Sequence, residues 1–193
     1  MGSEMEKTTT PENGKKRPSR WIKSTKRFRK DRSGVAAIEM ALVAWPFLAI
    51  MFAILEQGVV FFAEFSLEHN VAQAARQIRT GEVQENNITS AQFKNDLVCP
   101  DLAAMLSCGS LSVDVRTFIR FSDIAGALDD PINSDNEYTP LNNWQPGATL
   151  SVMVVRAFYE WNMITPAAFT HMGTLANGNR LLSASMTFRN EPF

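Results

Sequence analysis

Apolar positions along the chain change their period twice. From Val35 to Leu55 they are nearly continuous. Between Ala63 and Ile78 they thin to Ala63, Leu67, Val71, Ala74 and Ile78, at steps of four, four, three and four. That spacing is one stripe of an α-helix. Glu64, Glu68, Gln73 and Arg76 occupy other positions on it. The pattern predicts a single helix from Val35 to Thr80, with Gly81 as its stop signal. Pro46 lies inside it, offers no N–H to the Leu42 carbonyl and predicts a kink. After residue 110 the period falls to two. In LSVDVRTFIRF, Leu111, Val113, Val115, Ile119 and Phe121 share one face, with Ser112, Asp114, Arg116 and Arg120 on the other. In TLSVMVVRAFY the apolar set is Leu150, Val152, Val154 and Phe158. In LLSASMTFRN it is Leu182, Ala184, Met186 and Phe188. Alternation of this kind predicts a small antiparallel sheet, of three or four strands, with one covered face. The outer half of the long helix is the natural cover, so the fold class is α+β.

Shorter elements fill the connections. Thr89 with Gln92 fits a capping box that opens a short helix in TSAQFKNDLV, and PDLAAML adds a turn. Thr165 and Pro166 fit the start of another short helix in TPAAFTHMG. The stretch 122–147 is rich in Asp, Asn and Pro and reads as a solvated loop. Its acids Asp129, Asp130, Asp135 and Glu137 match no calcium-loop spacing.

Length and charge turn the first helix into a membrane anchor. Val35–Leu55 gives about 31 Å of helix, matching a hydrocarbon core of about 30 Å. Residues 1–34 hold eleven basic and four acidic side chains, a net +7. From Glu56 onward eight basic residues face fifteen acids, a net −7. Basic flanks stay cytoplasmic, which predicts a single pass with the N-terminus inside and residues 56–193 exported. A cleaved secretory signal fits poorly, because LEQGVVFFAEF lacks a pair of small residues and resumes being apolar. The basic tract has few aromatics to stack on bases and abuts the apolar run, so nucleic acid is not an expected partner. The predicted organisation is a basic cytoplasmic tail over 1–34, a transmembrane helix over 35–58, its continuation over 59–81 and an exported α+β domain over 82–193. Glu56 and Gly58 mark the expected outer membrane boundary.

One charge is out of place. Glu39 sits near the start of the apolar run, where an isolated carboxylate costs a few kcal/mol or more in hydrocarbon. It lies only about 7 Å along a helix from Gly34, at about 1.5 Å per residue. Snorkelling to the cytoplasmic headgroups is one way to satisfy it. Two cysteines, Cys99 and Cys108, both fall on the exported side, where an oxidising compartment lets such a pair close a short loop; two free buried thiols are the alternative. His69 and His171 are remote and no CxxC spacing exists, so no metal site or cofactor is expected. The exported half has no nucleophile elbow, metal-ligand cluster or phosphate loop, which argues against an enzyme.

The stretch DRSGVAAIEMALVAWPFLAIMFAILEQG resembles the N-terminal region of the TadE/TadG family, pseudopilin-like proteins of the Flp (tight adherence) pilus system. The residues that carry it are Gly34, Glu39, Ala41-Leu42-Val43, Pro46, Glu56 and Gly58, with VAQAAR at 71–76, FYEW at 158–161 and the final LLSASMTFRNEPF in agreement. Trp45 departs from the small or aliphatic residue expected before the proline. The resemblance implies a bacterial inner-membrane protein working as a minor pilin, pseudopilin or pilus assembly component, with the exported domain in the periplasm or on a pilus. It implies other pilus subunits and the inner-membrane assembly machinery as partners, in an oligomer. It further implies a prepilin peptidase cutting between Gly34 and Val35, so that the new Val35 amine can neutralise Glu39 between neighbouring subunits. An uncleaved anchor is the other form such a helix takes. A membrane-anchored periplasmic domain that binds a ligand at its acidic loop is the alternative from another functional class.

Overall fold

The computed structural model describes residues 34–102, 104–165 and 172–193. The chain divides into two units, Met1–Pro46 and Phe47–Phe193. The described part of the first is Gly34 and the opening of helix α1, Val35–Arg79, which carries Pro46 in its interior. The basic tract of residues 1–33 lies outside the described residues, as does most of the short helix expected at TPAAFTHMG.

In the second unit α1 ends where the glycine predicts. Gly81 adopts φ +90°, and its N–H bonds the Ile78 carbonyl. A left-handed closing residue is where a side chain is disfavoured and glycine is not. A Cβ here would also collide with the Phe193 ring, which packs across the end of the helix. Glu191 ties the same segment to Arg79 through its N–H and a 3.1 Å ion pair.

Helix α2 (Glu82–Glu85) follows, then α3 (Ser90–Gln92). The capping box is present: Thr89 Oγ1 accepts from the Gln92 N–H, and the Gln92 side chain accepts from the Thr89 N–H. α3 continues as a π-helical turn, Phe93–Val98, which buries Phe93 and Val98. Cys99 and Cys108 form a disulfide with their Cα atoms 5.7 Å apart.

Three strands make one antiparallel sheet in the order β1 (Leu111–Phe118), β2 (Val152–Trp161), β3 (Arg180–Arg189). Register sets the faces. Val113 pairs with Ala157, which pairs with Ala184; Val115 pairs with Val155, which pairs with Met186. These residues, with Leu111, Met153, Tyr159 and Leu182, pack with Val60, Ala63, Leu67, Val71, Ala74 and Ile78 of α1 in one core. The stripe expected from spacing is the stripe that is buried.

Two expectations about the sheet need correction. The face of β2 that meets the helix is Met153, Val155, Ala157 and Tyr159, not Val152, Val154 and Phe158. β2 is the central strand and is buried on both sides, so its apolar residues show no period that tells one face from the other. Leu150 precedes the strand at φ +62° and is exposed. β1 stops at Phe118, and Ile119 and Phe121 leave the sheet for solvent.

The far face of the sheet is covered as well. Ser112 and Asp114 are buried there beside Arg156, beneath the loop expected to be solvated. That loop also reaches the edge of β1: the Val115 N–H donates to Asn143, the Val115 carbonyl accepts from Gln145, and Trp144 lies against Phe93 with ring centroids 5.1 Å apart.

Candidate functional site

The residues expected to matter lie on α1 and fall into two groups. The first opens the helix. The Gly34 carbonyl accepts the Ile38 N–H at 3.1 Å, so the Gly34–Val35 bond sits at the first turn, with both residues exposed. Every large apolar side chain from Val35 to Leu55 is exposed to the surroundings of the chain. α1 is long and apolar enough to cross a membrane, and its apolar window is not buried in the protein. Glu39 is exposed in this stretch, and among the described residues it forms no ion pair. Water would not stabilise so many bare apolar side chains on one helix, whereas a lipid or a protein partner would.

The second group lies where α1 meets the sheet domain. Glu56 is buried, and its carboxylate accepts the main-chain N–H of Ile164 and, at 2.9 Å, of Thr165. Both donors lie on the connection after β2. A carboxylate taking two amide N–H groups is a charge-assisted pair, stronger than neutral ones. Next to it, Arg180 at the start of β3 donates to Gln57 at 3.5 Å and forms an ion pair with Glu64 at 3.7 Å. Glu56 therefore faces the domain rather than water. Gly58 is exposed, and a Cβ there would have no neighbour within 4 Å in this chain.

The remaining charges serve the fold. The Asp114 carboxylate accepts Arg156 Nη2 at 2.6 Å, Arg156 Nε at 3.1 Å and Asn143 Nδ2 at 2.7 Å. Burial alone would raise the Asp114 carboxyl, but hydrogen bonds from Asn143 and Arg156, with the charges of Arg156 and Arg116, hold it below its ordinary value. Arg116 bridges Asp114 and Asp129, and its hydrogen bond to Asp129 leads the effects that raise its pKa. Burial raises the Tyr138 hydroxyl, which shares a hydrogen bond with Ser112. The acids of the loop are thus partly spent: Asp129 on Arg116, and Asp130 on the Ile132 N–H. A shallow cleft near this loop is lined by Asn136, Glu137, Tyr138, Glu160 and Asn177. Among the described residues no three His, Cys, Asp or Glu side chains converge as metal ligands.

Spacing singles out Glu39, Pro46, Glu56 and the two cysteines, but not the partners of Glu56 or the Arg156–Asp114 pair. Arg156 did leave a signal, as the one charge within the apolar run Val152–Tyr159.

Residues 34–76 match the family model of the TadE-like proteins. The matched segment begins at Gly34 and takes in Glu39, Pro46, Glu56, Gly58 and the helix stripe as far as Ala74. No curated protein and no solved structure matches the chain. Residues 34–76 are thus similar to a TadE-like domain, and the sheet domain beyond them lies outside the match.

Proposed function

We propose that this chain is a non-enzymatic minor pilin, pseudopilin or assembly component of a Tad (Flp-type) pilus, acting by association of its apolar helix in the bacterial inner membrane. The observation that carries the reading is the division of labour within α1. Its first part is apolar and bare, with a single carboxylate at Glu39, and its second part is the spine on which the sheet is packed. A helix built that way ties a folded domain to a membrane while offering a docking surface to sister molecules. In this reading the N-terminus is cytoplasmic, the disulfide-bonded domain is periplasmic or carried on a pilus, and the Gly34–Val35 bond is the site of prepilin peptidase. Cleavage gives Val35 a charged amine. Pairing that amine with Glu39 removes much of the cost of burying either charge and admits only a subunit seated at the right depth.

Identification of the mature N-terminus in purified membranes and in sheared filaments tests this reading. A chain beginning at Val35, with deletion of the protein abolishing Tad pili, is the expected result. An intact leader with normal piliation after deletion would refute it.

A further inference from the structure

The exposed face of α1 does not change character at Glu56. Beyond it, Val59, Phe61, Phe62 and Phe65 are all exposed. The polar residues among them are turned inward and paired: Glu56 with the Ile164 and Thr165 N–H groups, Gln57 and Glu64 with Arg180. Only after Phe65 does the exposed face become polar, with Glu68, His69, Gln73 and Arg76. Phe65 lies ten residues past Leu55. That is about 15 Å of helix, about two to three times the depth of one headgroup layer when a bilayer of about 40–45 Å encloses a core of about 30 Å. The same end of the domain carries Ile164, which is 87 % exposed yet held in place because its own N–H is bonded to Glu56. A bare isoleucine fixed at the level of the lipid-facing helix has no reason to face water.

We propose that the domain is partly embedded in the bilayer rather than standing clear of it. Its base, formed by Val59, Phe61, Phe62 and Phe65 of α1 and by Ile164 on the connection after β2, lies in the leaflet nearer the domain, and lipid is its occupant. Continuity with the bare apolar surface of Val35–Leu55 selects lipid over a protein partner. The pairing of Glu56, Gln57 and Glu64 is what permits this depth, because each of these three polar side chains of α1 enters the hydrocarbon with a partner. The outer boundary then lies between Phe65 and Glu68, beyond Glu56 and Gly58. A hydrocarbon window of about 20 residues ending near Phe62 begins near Val43.

The inference rests on the membrane-anchor reading, and one experiment separates their failures. The full-length chain, with its native disulfide kept oxidised, is reconstituted in vesicles of phosphatidylethanolamine and phosphatidylglycerol. Nitroxide labels are attached one at a time to Ile50→Cys, Phe62→Cys, Ile164→Cys and Gln73→Cys. Collision rates are read with oxygen, which concentrates in lipid, and with a nickel chelate, which stays in water. The expected result is nickel access several-fold lower at 62 and 164 than at 73, with oxygen access at 62 approaching that at 50. Water-like values at 62 and 164, with 50 lipid-like, would overturn the embedded base and leave the anchor standing. Low access to both reagents at 62 would mean that protein, such as a second copy, covers the face, and would also overturn it. Water-like values at 50 would remove the anchor and the inference together.

Discussion

Two sets of apolar side chains on one helix of this molecule meet opposite surroundings. Val35–Leu55 keeps its large side chains bare, while the sheet-facing stripe from Val60 to Ile78 hides its own completely. The same helix supplies both. What separates them is the company that each keeps. In the second region the sequence of polar residues is broken so that every apolar position on one side meets a sheet strand of matching period. In the first, apolar residues surround the helix and no other described element is built to cover them. Hydropathy alone therefore does not distinguish a core from a lipid anchor; the arrangement of the polar neighbours does.

The sharpest way to break the comparison is to attack a charge on which only the folded region depends. Asp114→Asn leaves Arg156 buried without its counter-charge and should destabilise the domain by about 3–5 kcal/mol, read by denaturant unfolding in detergent. The wild type should lose the same contribution in acid. The Asp114 carboxyl is held below its unfolded value, so its stabilisation is complete above about pH 4 and is lost as pH falls through the folded value. Asp114→Asn should flatten that dependence, and an unchanged acid limb would remove Asp114 as its source.

Cutting the buried stripe comes next. Leu67→Ala should cost about 2–5 kcal/mol by cavity formation. Opening the disulfide by Cys99→Ser with Cys108→Ser should cost about 2–3 kcal/mol under oxidising conditions, seen as a lower melting temperature; reductant should then change the variant no further. Glu56→Gln keeps the shape but removes the charge from the Ile164 and Thr165 amides, for a loss of about 1–3 kcal/mol. Faster hydrogen exchange at those two amides is the specific sign. At the far end of the scale, Leu42→Ala on the bare stretch should leave domain stability within about 0.5 kcal/mol. Glu39→Gln should leave unfolding unchanged while reducing incorporation into the pilus assembly. If Leu42→Ala proved as damaging as Leu67→Ala, the distinction between the two regions would fall.

Much of this was legible before any coordinates. The stripe Ala63, Leu67, Val71, Ala74 and Ile78, the stop at Gly81, the capping box at Thr89 and the cysteine pairing all rest on local rules, and local rules suffice where the interaction partner is a few residues away or the period is unambiguous. The face of β2 was not legible, because a strand buried on both sides has no polar side to mark. Nor was the burial of Asp114, which alternation assigns to solvent; its partner Arg156 is 42 residues away, and the loop that covers the pair has no period at all. Glu56 stands out in the sequence as the first charge after the apolar run, but its partners were not legible, since its donors are main-chain amides more than 100 residues distant that any residue type could supply.

The contact of Val115 with Asn143 and Gln145 has a further consequence. A ladder of strands grows without limit only if each unit offers two open sides, one to accept a neighbour and one to be accepted. Here the middle of β1 already has its outward N–H and carbonyl engaged by the chain itself. Edge-to-edge pairing of two copies is then left to β3, and a pairing through β3 alone ends at two molecules.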